Sequence, residues 1–277
     1  MNQCLSSLLP HNENLLSEAL ESLNDVGYVI LPNLLSQQET KLGIEALYNV
    51  QTKILSEVSL ERLRRADEEG VFRLPMKFDP IFYRYLEQPN ILALVDATVS
   101  NTSILHLQNG FIFPAHQRGD SLDLFQYQFH RDFPRDMNGY VASINVLLTF
   151  TDLTEDSEGF YVVPKSQQKS TVFTQDYCKD HAVPVVCPAG SALIFDSTLW
   201  HSAGPNYSSQ NWIGVNHQFT RAFIKQQIDY VRALGNDVIE KQVPRTQQLL
   251  GWYSRVVTSL DEYYQPENKR LYRKGQG

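Results

Sequence analysis

Cysteine is scarce. Cys4, Cys178 and Cys187 are three in 277 residues, an odd number without Cys-x-x-Cys spacing, which speaks against a disulfide framework and a cysteine-built zinc site. A P-loop, Gly-x-Gly-x-x-Gly, His-Glu-x-x-His and Gly-x-Ser-x-Gly are all missing, so the common phosphate-cradling, zinc-protease and serine-hydrolase signatures are excluded. Basic charge is short, with 24 Lys and Arg against 31 Asp and Glu and a net charge of -7. That balance argues against non-specific affinity for nucleic acid or anionic membranes. No apolar run approaches membrane-spanning length. The opening MNQCLSSLLPHNENLL carries neither a basic n-region nor a real apolar h-region, so no signal peptide is expected. A cytoplasmic, reducing compartment is the expectation, with a small-molecule substrate and no nucleic-acid or membrane partner.

What is present reads as an ordinary globular chain, 42% hydrophobic and 20% charged, with 14 Tyr and 14 Phe that suit a β-rich fold. Leu16, Leu20 and Leu23 recur at helical spacing near the front. The pattern stops at Asn24-Asp25, and VGYVILPNLL follows as a short strand running into a turn. Ser36 to Glu39 (SQQE) forms a capping box and opens a helix expected to reach about Leu60. Residues 61 to 100 look mixed and mainly helical, broken by Pro75, Pro80 and Pro89. From about residue 103 the texture changes to short aromatic and β-branched runs between Gly, Pro, Asn and Asp clusters, the pattern of an antiparallel sandwich or barrel. The tail from about 224 is helical again, then Tyr-rich and basic. The fold expected is mainly β with flanking helices in a single domain over 1–277. It divides into a mainly helical part (1–100), a β core (about 103–223) and a helical, basic C-terminal tail (224–277).

Within FQYQFHRDFPR (125–135), His130 and Asp132 stand two residues apart. On a strand they would share a face with Gln126 and Gln128, while Tyr127, Phe129 and Arg131 point away. An imidazole and a carboxylate side by side supply two-thirds of a 2-His-1-carboxylate iron site. A salt-bridged polar strand end is the plainer alternative, and the pair needs a third member. His201, in PAGSALIFDSTLWHSAGPN (188–206), opens a strand that can lie beside the first. The other histidines read as structural: His106 and His217 in strand interiors, His181 in a polar turn, His11 and His116 in loops.

Four ordered segments together resemble the phytanoyl-CoA dioxygenase family of iron(II)- and 2-oxoglutarate-dependent oxygenases. DVGYVILPNLLSQQE resembles its N-terminal element and FHRDF its His-x-Asp. EGFYVVPKSQQ and PAGSALIFDSTLWHSAGPN are similar to the segments that precede and contain its distal histidine. The resemblance spans roughly residues 24 to 223. It implies a double-stranded β-helix (jelly-roll, cupin-like) core, with His130, Asp132 and His201 as catalytic iron ligands. It also implies Fe(II), 2-oxoglutarate and O2 as cofactor and co-substrates. Because Asp132 is a carboxylate, halogenation is disfavoured.

One position departs from that pattern. The family anchors the distal carboxylate of 2-oxoglutarate with an arginine early in the strand after the distal histidine, and Trp212 stands there. Trp212, Gly214, Asn216 and Gln218 would share one face of that strand, and Ile213, Val215, His217 and Phe219 the other, apolar enough to pack under the N-terminal helices. Arg221 follows the second set, so a regular strand aims it away from the metal unless a bulge intervenes. Three readings stay open: an arginine from elsewhere (Arg221, Arg118 or Arg135), neutral hydrogen bonds from Asn216 and Gln218, or a different co-substrate. Gln128, Trp212, Asn216, Gln218 and Arg221 are thus the candidate co-substrate residues. The expected activity is hydroxylation of a small molecule. The alternatives are a same-fold iron oxidase (ring closure, desaturation, demethylation or another co-substrate) and a non-catalytic ligand-binding barrel.

Overall fold

The computed structural model describes residues 12–120, 122, 124–134 and 137–276. Cys4, His11 and Arg135 lie outside that range. The first helix, α1 (Glu13–Asp25), starts where the Asn12 side chain accepts a hydrogen bond from the Leu15 amide, 3.2 Å. Its stripe of Leu16, Leu20 and Leu23 turns inward, as the spacing requires. Strand β1 (Tyr28–Leu31) follows directly. The capping box at Ser36 forms as expected: the Glu39 amide donates to Ser36 Oγ (3.2 Å) and the Ser36 amide to Glu39 Oε2 (2.8 Å). It opens α2 (Gln37–Val58). The mixed stretch resolves into α3 (Leu60–Arg65), β2 (Val71–Arg73), α4 (Ile81–Leu86) and α5 (Pro89–Thr98). The short strand β2 was not foreseen.

The β core supplies β3 (Ile104–Phe113), β4 (Ser143–Thr149), β5 (Phe160–Val162), β6 (Val183–Pro184), β7 (Ala192–Asp196), β8 (His201–Ala203) and β9 (Trp212–Thr220), with α6 (Gln175–His181) between β5 and β6. Two antiparallel sheets result. The larger has the order β1-β7-β4-β9-β3-β2, the smaller β6-β5-β8. Short helices follow β9, among them α7 (Tyr230–Leu234), α8 (Asn236–Glu240) and α9 (Pro244–Leu249).

Strand alternation sorts the residues of the large sheet between two layers. Ile144, Val146 and Leu148 of β4, with Ile213, Val215 and Phe219 of β9, pack with Leu47, Val50, Ile91 and Leu94 of the helices. Gly110 on β3 permits that close approach, since a Cβ there would sit 2.2 Å from Leu47 Cδ2. The opposite face turns toward the small sheet. Phe111, Phe113, Leu147, Phe195 and Trp212 gather there with Phe160, Val162 and Ala203 of β5 and β8. Ser143, Asn145 and Thr149 share this inner face and are fully buried. Asn145 donates to Ser197 Oγ (2.8 Å), Gln218 to Ser143 Oγ (3.2 Å), and Ser143 and Ser197 bond each other at 2.7 Å. The polar half of β4 is therefore an interior network and not a solvated surface. No helix among the described residues is long and apolar enough to cross a membrane.

Candidate metal centre and its cavity

The segment LFQYQFHRDF is not the continuous strand its alternation suggests. It makes a 3-10 turn over Phe125–Tyr127, then extends and meets β8 at one bridge between His130 and His201. Their amides and carbonyls exchange hydrogen bonds of 2.9 and 3.0 Å. Further clamps hold the segment. The Phe133 amide donates to the Ser197 carbonyl (2.8 Å), and the Gln175 side chain takes both backbone groups of Phe129 (2.9 and 2.8 Å). Gln175, at the start of α6, drew no notice in the sequence because nothing local links it to Phe129. Asp132 is thereby fixed between two pinned points and projects beside both imidazoles.

Donor atoms of His130, Asp132 and His201 lie within 4.8 Å of one another. His130 Nε2 is 3.5 Å from Asp132 Oδ1, and His201 Nε2 is 3.7 Å from Asp132 Oδ2. Each Nδ1 lies beside a carbonyl, that of Gln128 for His130 (2.8 Å) and that of Leu199 for His201 (2.9 Å). Those acceptors call for a proton on Nδ1 and so leave the lone pair on Nε2, the arrangement in which histidines ligate metals. Burial pushes His201 down to about 4, helped by the neighbouring His130, so its imidazole is neutral at neutral pH. Burial alone would raise the Asp132 carboxyl, but His201 and His130 outweigh it and hold it at about 2, with Arg73 adding to the effect. A neutral imidazole and an ionised carboxylate are the forms that bind a divalent cation. Phe125 lies 4.6 Å from the His130 ring, and Phe160 and Phe195 lie 5.7 and 4.7 Å from His201.

The trio opens on a cavity of about 710 Å³, within the range of small-molecule sites. Part of the lining is aromatic: Phe111, Phe113, Phe125, Phe160, Phe195 and Trp212. Part is polar and includes Glu68, Arg73, His106, Asn109, Asn216 and Gln218. Of the candidate co-substrate residues, Trp212, Asn216 and Gln218 are in this wall and two are not. Gln128 is exposed, and only its carbonyl serves the site, while Gln126 is the glutamine that lines the cavity. The 3-10 turn breaks the alternation that would have aligned the two. Arg221, the residue after β9, points away, as continuing that strand's parity foretells. Its guanidinium lies over the Tyr140 ring at 4.2 Å and Nε donates to the Val141 carbonyl. Arg118 is spent on Glu158 (3.0 Å) and the Tyr207 ring, outside the cavity.

Trp212 stacks on Phe113 at 5.3 Å and 8°, with Phe111 at 5.8 Å. Its indole N–H is buried without a protein partner among the described residues, as is Asn216 Oδ1. Arg73 and His106 are among the wall residues that the sequence did not single out. Arg73 lies on β2 opposite Asn109, which faces Asn216 on β9. His106, read as a strand-interior histidine, sits where the β3–β9 register shifts between Leu105 and Leu107, and the irregularity brings it to the cavity wall.

The fold and the site define a class: an antiparallel sheet with flanking helices and a two-histidine, one-carboxylate cluster facing its interior. Residues 23–212 match the phytanoyl-CoA dioxygenase (PhyH) family, and the chain belongs to it. Membership makes it a dioxygenase by family. It is 52% identical over 266 residues to the uncharacterized protein Rv1501 of Mycobacterium tuberculosis, covering 96% of this chain and 97% of that one. Two solved structures are similar in fold. HygX from Streptomyces hygroscopicus with nickel and 2-oxoglutarate bound has a TM-score of 0.53 and 14% identity, over 76% of this chain and 88% of HygX. A non-heme monooxygenase, the ThoJ–nickel complex, has a TM-score of 0.52 and 20% identity, over 76% of this chain and 79% of that one.

Proposed function

We propose that the protein is an iron(II)- and 2-oxoglutarate-dependent dioxygenase that hydroxylates a small molecule, on a core of two sheets forming a double-stranded β-helix. The observation that carries this reading is the convergence of His130, Asp132 and His201 at the cavity, with both Nδ1 atoms turned to carbonyls. This donor set fits iron(II), because two imidazoles and one carboxylate on one side leave open positions for a chelating keto acid and O2. HygX, of similar fold, binds nickel and 2-oxoglutarate. Bound here, iron(II) supplies the redox chemistry that couples oxidative decarboxylation of a keto acid to hydroxylation of a C–H bond.

The chain's own residues do the rest. His130 and His201 each present Nε2, and Asp132 brings the one negative charge. The Gln128 and Leu199 carbonyls hold the rings in orientation, so no reorganisation is needed when the metal arrives. The aromatic part of the lining excludes water and offers a flat apolar surface to the substrate. Asn216 Oδ1 and the Trp212 N–H, both buried and unpaired among the described residues, are an acceptor and a donor that a bound ligand would satisfy.

The test is an anaerobic titration of the protein with iron(II) and then 2-oxoglutarate, watched for the visible charge-transfer band of a chelated keto acid. Asp132→Ala should lose iron binding and turnover yet keep its far-UV circular dichroism. Iron(II) should raise the melting temperature of the wild type and leave that of the variant where it was. Equal iron binding by the two proteins would end the reading.

A further inference from the structure

Resting on the keto-acid reading above, we propose that Arg73, entering the cavity from β2, receives the distal carboxylate of the keto acid in place of the arginine that Trp212 displaces. A buried carboxylate without a charged partner is costly, and Trp212 offers one N–H inside an aromatic stack. Three arginine or lysine side chains line the cavity among the described residues: Arg73, Arg131 and Lys225. Lys225 is exposed, and Arg131 lies over the Trp200 ring at 5.3 Å. Arg73 alone stands on the sheet, on the row that runs through Asn109 to Asn216.

The guanidinium is held but not saturated. Nε donates to Glu68 Oε2 (2.8 Å), Nη2 to Glu68 Oε1, and Nη1 to Asn109 Oδ1 (2.6 Å). An arginine has five N–H hydrogens, so one remains on each of Nη1 and Nη2 to donate to a carboxylate. Glu68 and Asn109 fix the plane beforehand, which lowers the ordering cost of binding. Glu68 also offsets part of the charge, so the expected gain is moderate.

The experiment uses the full chain, loaded anaerobically with iron(II), and compares 2-oxoglutarate with 2-oxovalerate. The second acid has the same chain length with a methyl where the distal carboxylate was. The charge-transfer band reports each affinity. Wild type should bind 2-oxoglutarate at least about tenfold more tightly, the scale of one charge-assisted contact. Arg73→Gln should lose that preference through weaker 2-oxoglutarate binding, with 2-oxovalerate unchanged, and Arg73→Lys should keep part of it. Because Arg73→Gln strands Glu68, the double variant Glu68→Gln/Arg73→Gln is measured as well and decides the case if the single variant does not fold. Preference retained without Arg73, equal affinities in the wild type, or a variant that weakens both acids alike would each overturn the proposal. If iron-loaded wild type gives a band with neither acid, the keto-acid reading falls and this anchor with it.

Discussion

His217 lies on the helix-facing side of β9, fully buried, with neither ring nitrogen bonded among the described residues. Burial drives it from the ordinary 6.5 down to about 3. The unfolded chain therefore binds a proton below pH 6.5 that the folded protein refuses until about pH 3. The stability it contributes is complete above 6.5 and is lost as the pH falls toward 3, with a slope of up to about 1.4 kcal/mol per pH unit. His217→Leu, which keeps an apolar side chain among Val146, Phe219 and their neighbours, should remove that slope. Urea unfolding at pH 7 and pH 5 should show the variant losing about 2 kcal/mol less than wild type between them. Equal losses would mean that His217 is not held neutral. At this scale the sequence was legible where parity governs: Trp212, Asn216 and Gln218 line the cavity and Arg221 does not. It was illegible where a register shift or turn breaks parity, as at His106 and Gln128.

Elements with a local cause were the readable ones. The helix opened at Ser36 exists because its first amides find Ser36 and Glu39 within three residues, independent of the rest of the chain. Losing such a cap typically costs about 1 kcal/mol. Ser36→Ala should lower the unfolding free energy by about that much, read from chemical denaturation, with keto-acid affinity unaltered because the cap is exposed and remote from the cavity. An unchanged unfolding midpoint would show that tertiary packing alone sets the start of α2. The His-x-Asp segment is the contrary case. Its sequence alternates as a strand, but its shape comes from Gln175, Ser197 and His201, which lie 46, 64 and 71 residues away from the residues they hold. Strand β2 was missed for a related reason. The three residues Val71–Arg73 carry too little periodicity to be seen, and pairing with β3 is what makes them a strand.

At the scale of the whole molecule, the helices from the front of the chain and the large sheet share one apolar interior. Leu23 of α1, Leu47 and Val50 of α2, and Leu94 of α5 belong to the same buried cluster as Val146, Ile194 and Val215 of the sheet. Strand β1 forms an edge of that sheet on β7, so removing the front would strip the helix cover and unpair a strand edge together. Each fully buried aliphatic side chain stabilises by roughly 1.5–3 kcal/mol relative to exposure, whereas a domain's whole margin is about 5–15 kcal/mol. Losing Leu23, Leu34 and Leu35 along with their partners on the sheet therefore exceeds what the remaining chain can absorb. We propose that the helical front and the β core fold as one unit. Deleting residues 1 to 45 should then give insoluble or molten protein that retains secondary structure, binds a hydrophobic dye and shows no cooperative melt. The iron site should fail with it, because β7 would lose its pairing with β1 while leading into the Ser197–His201 segment that clamps the His-x-Asp loop. A truncated protein that melts cooperatively and still binds iron(II) would show that the sheets hold the site without the helices in front of them.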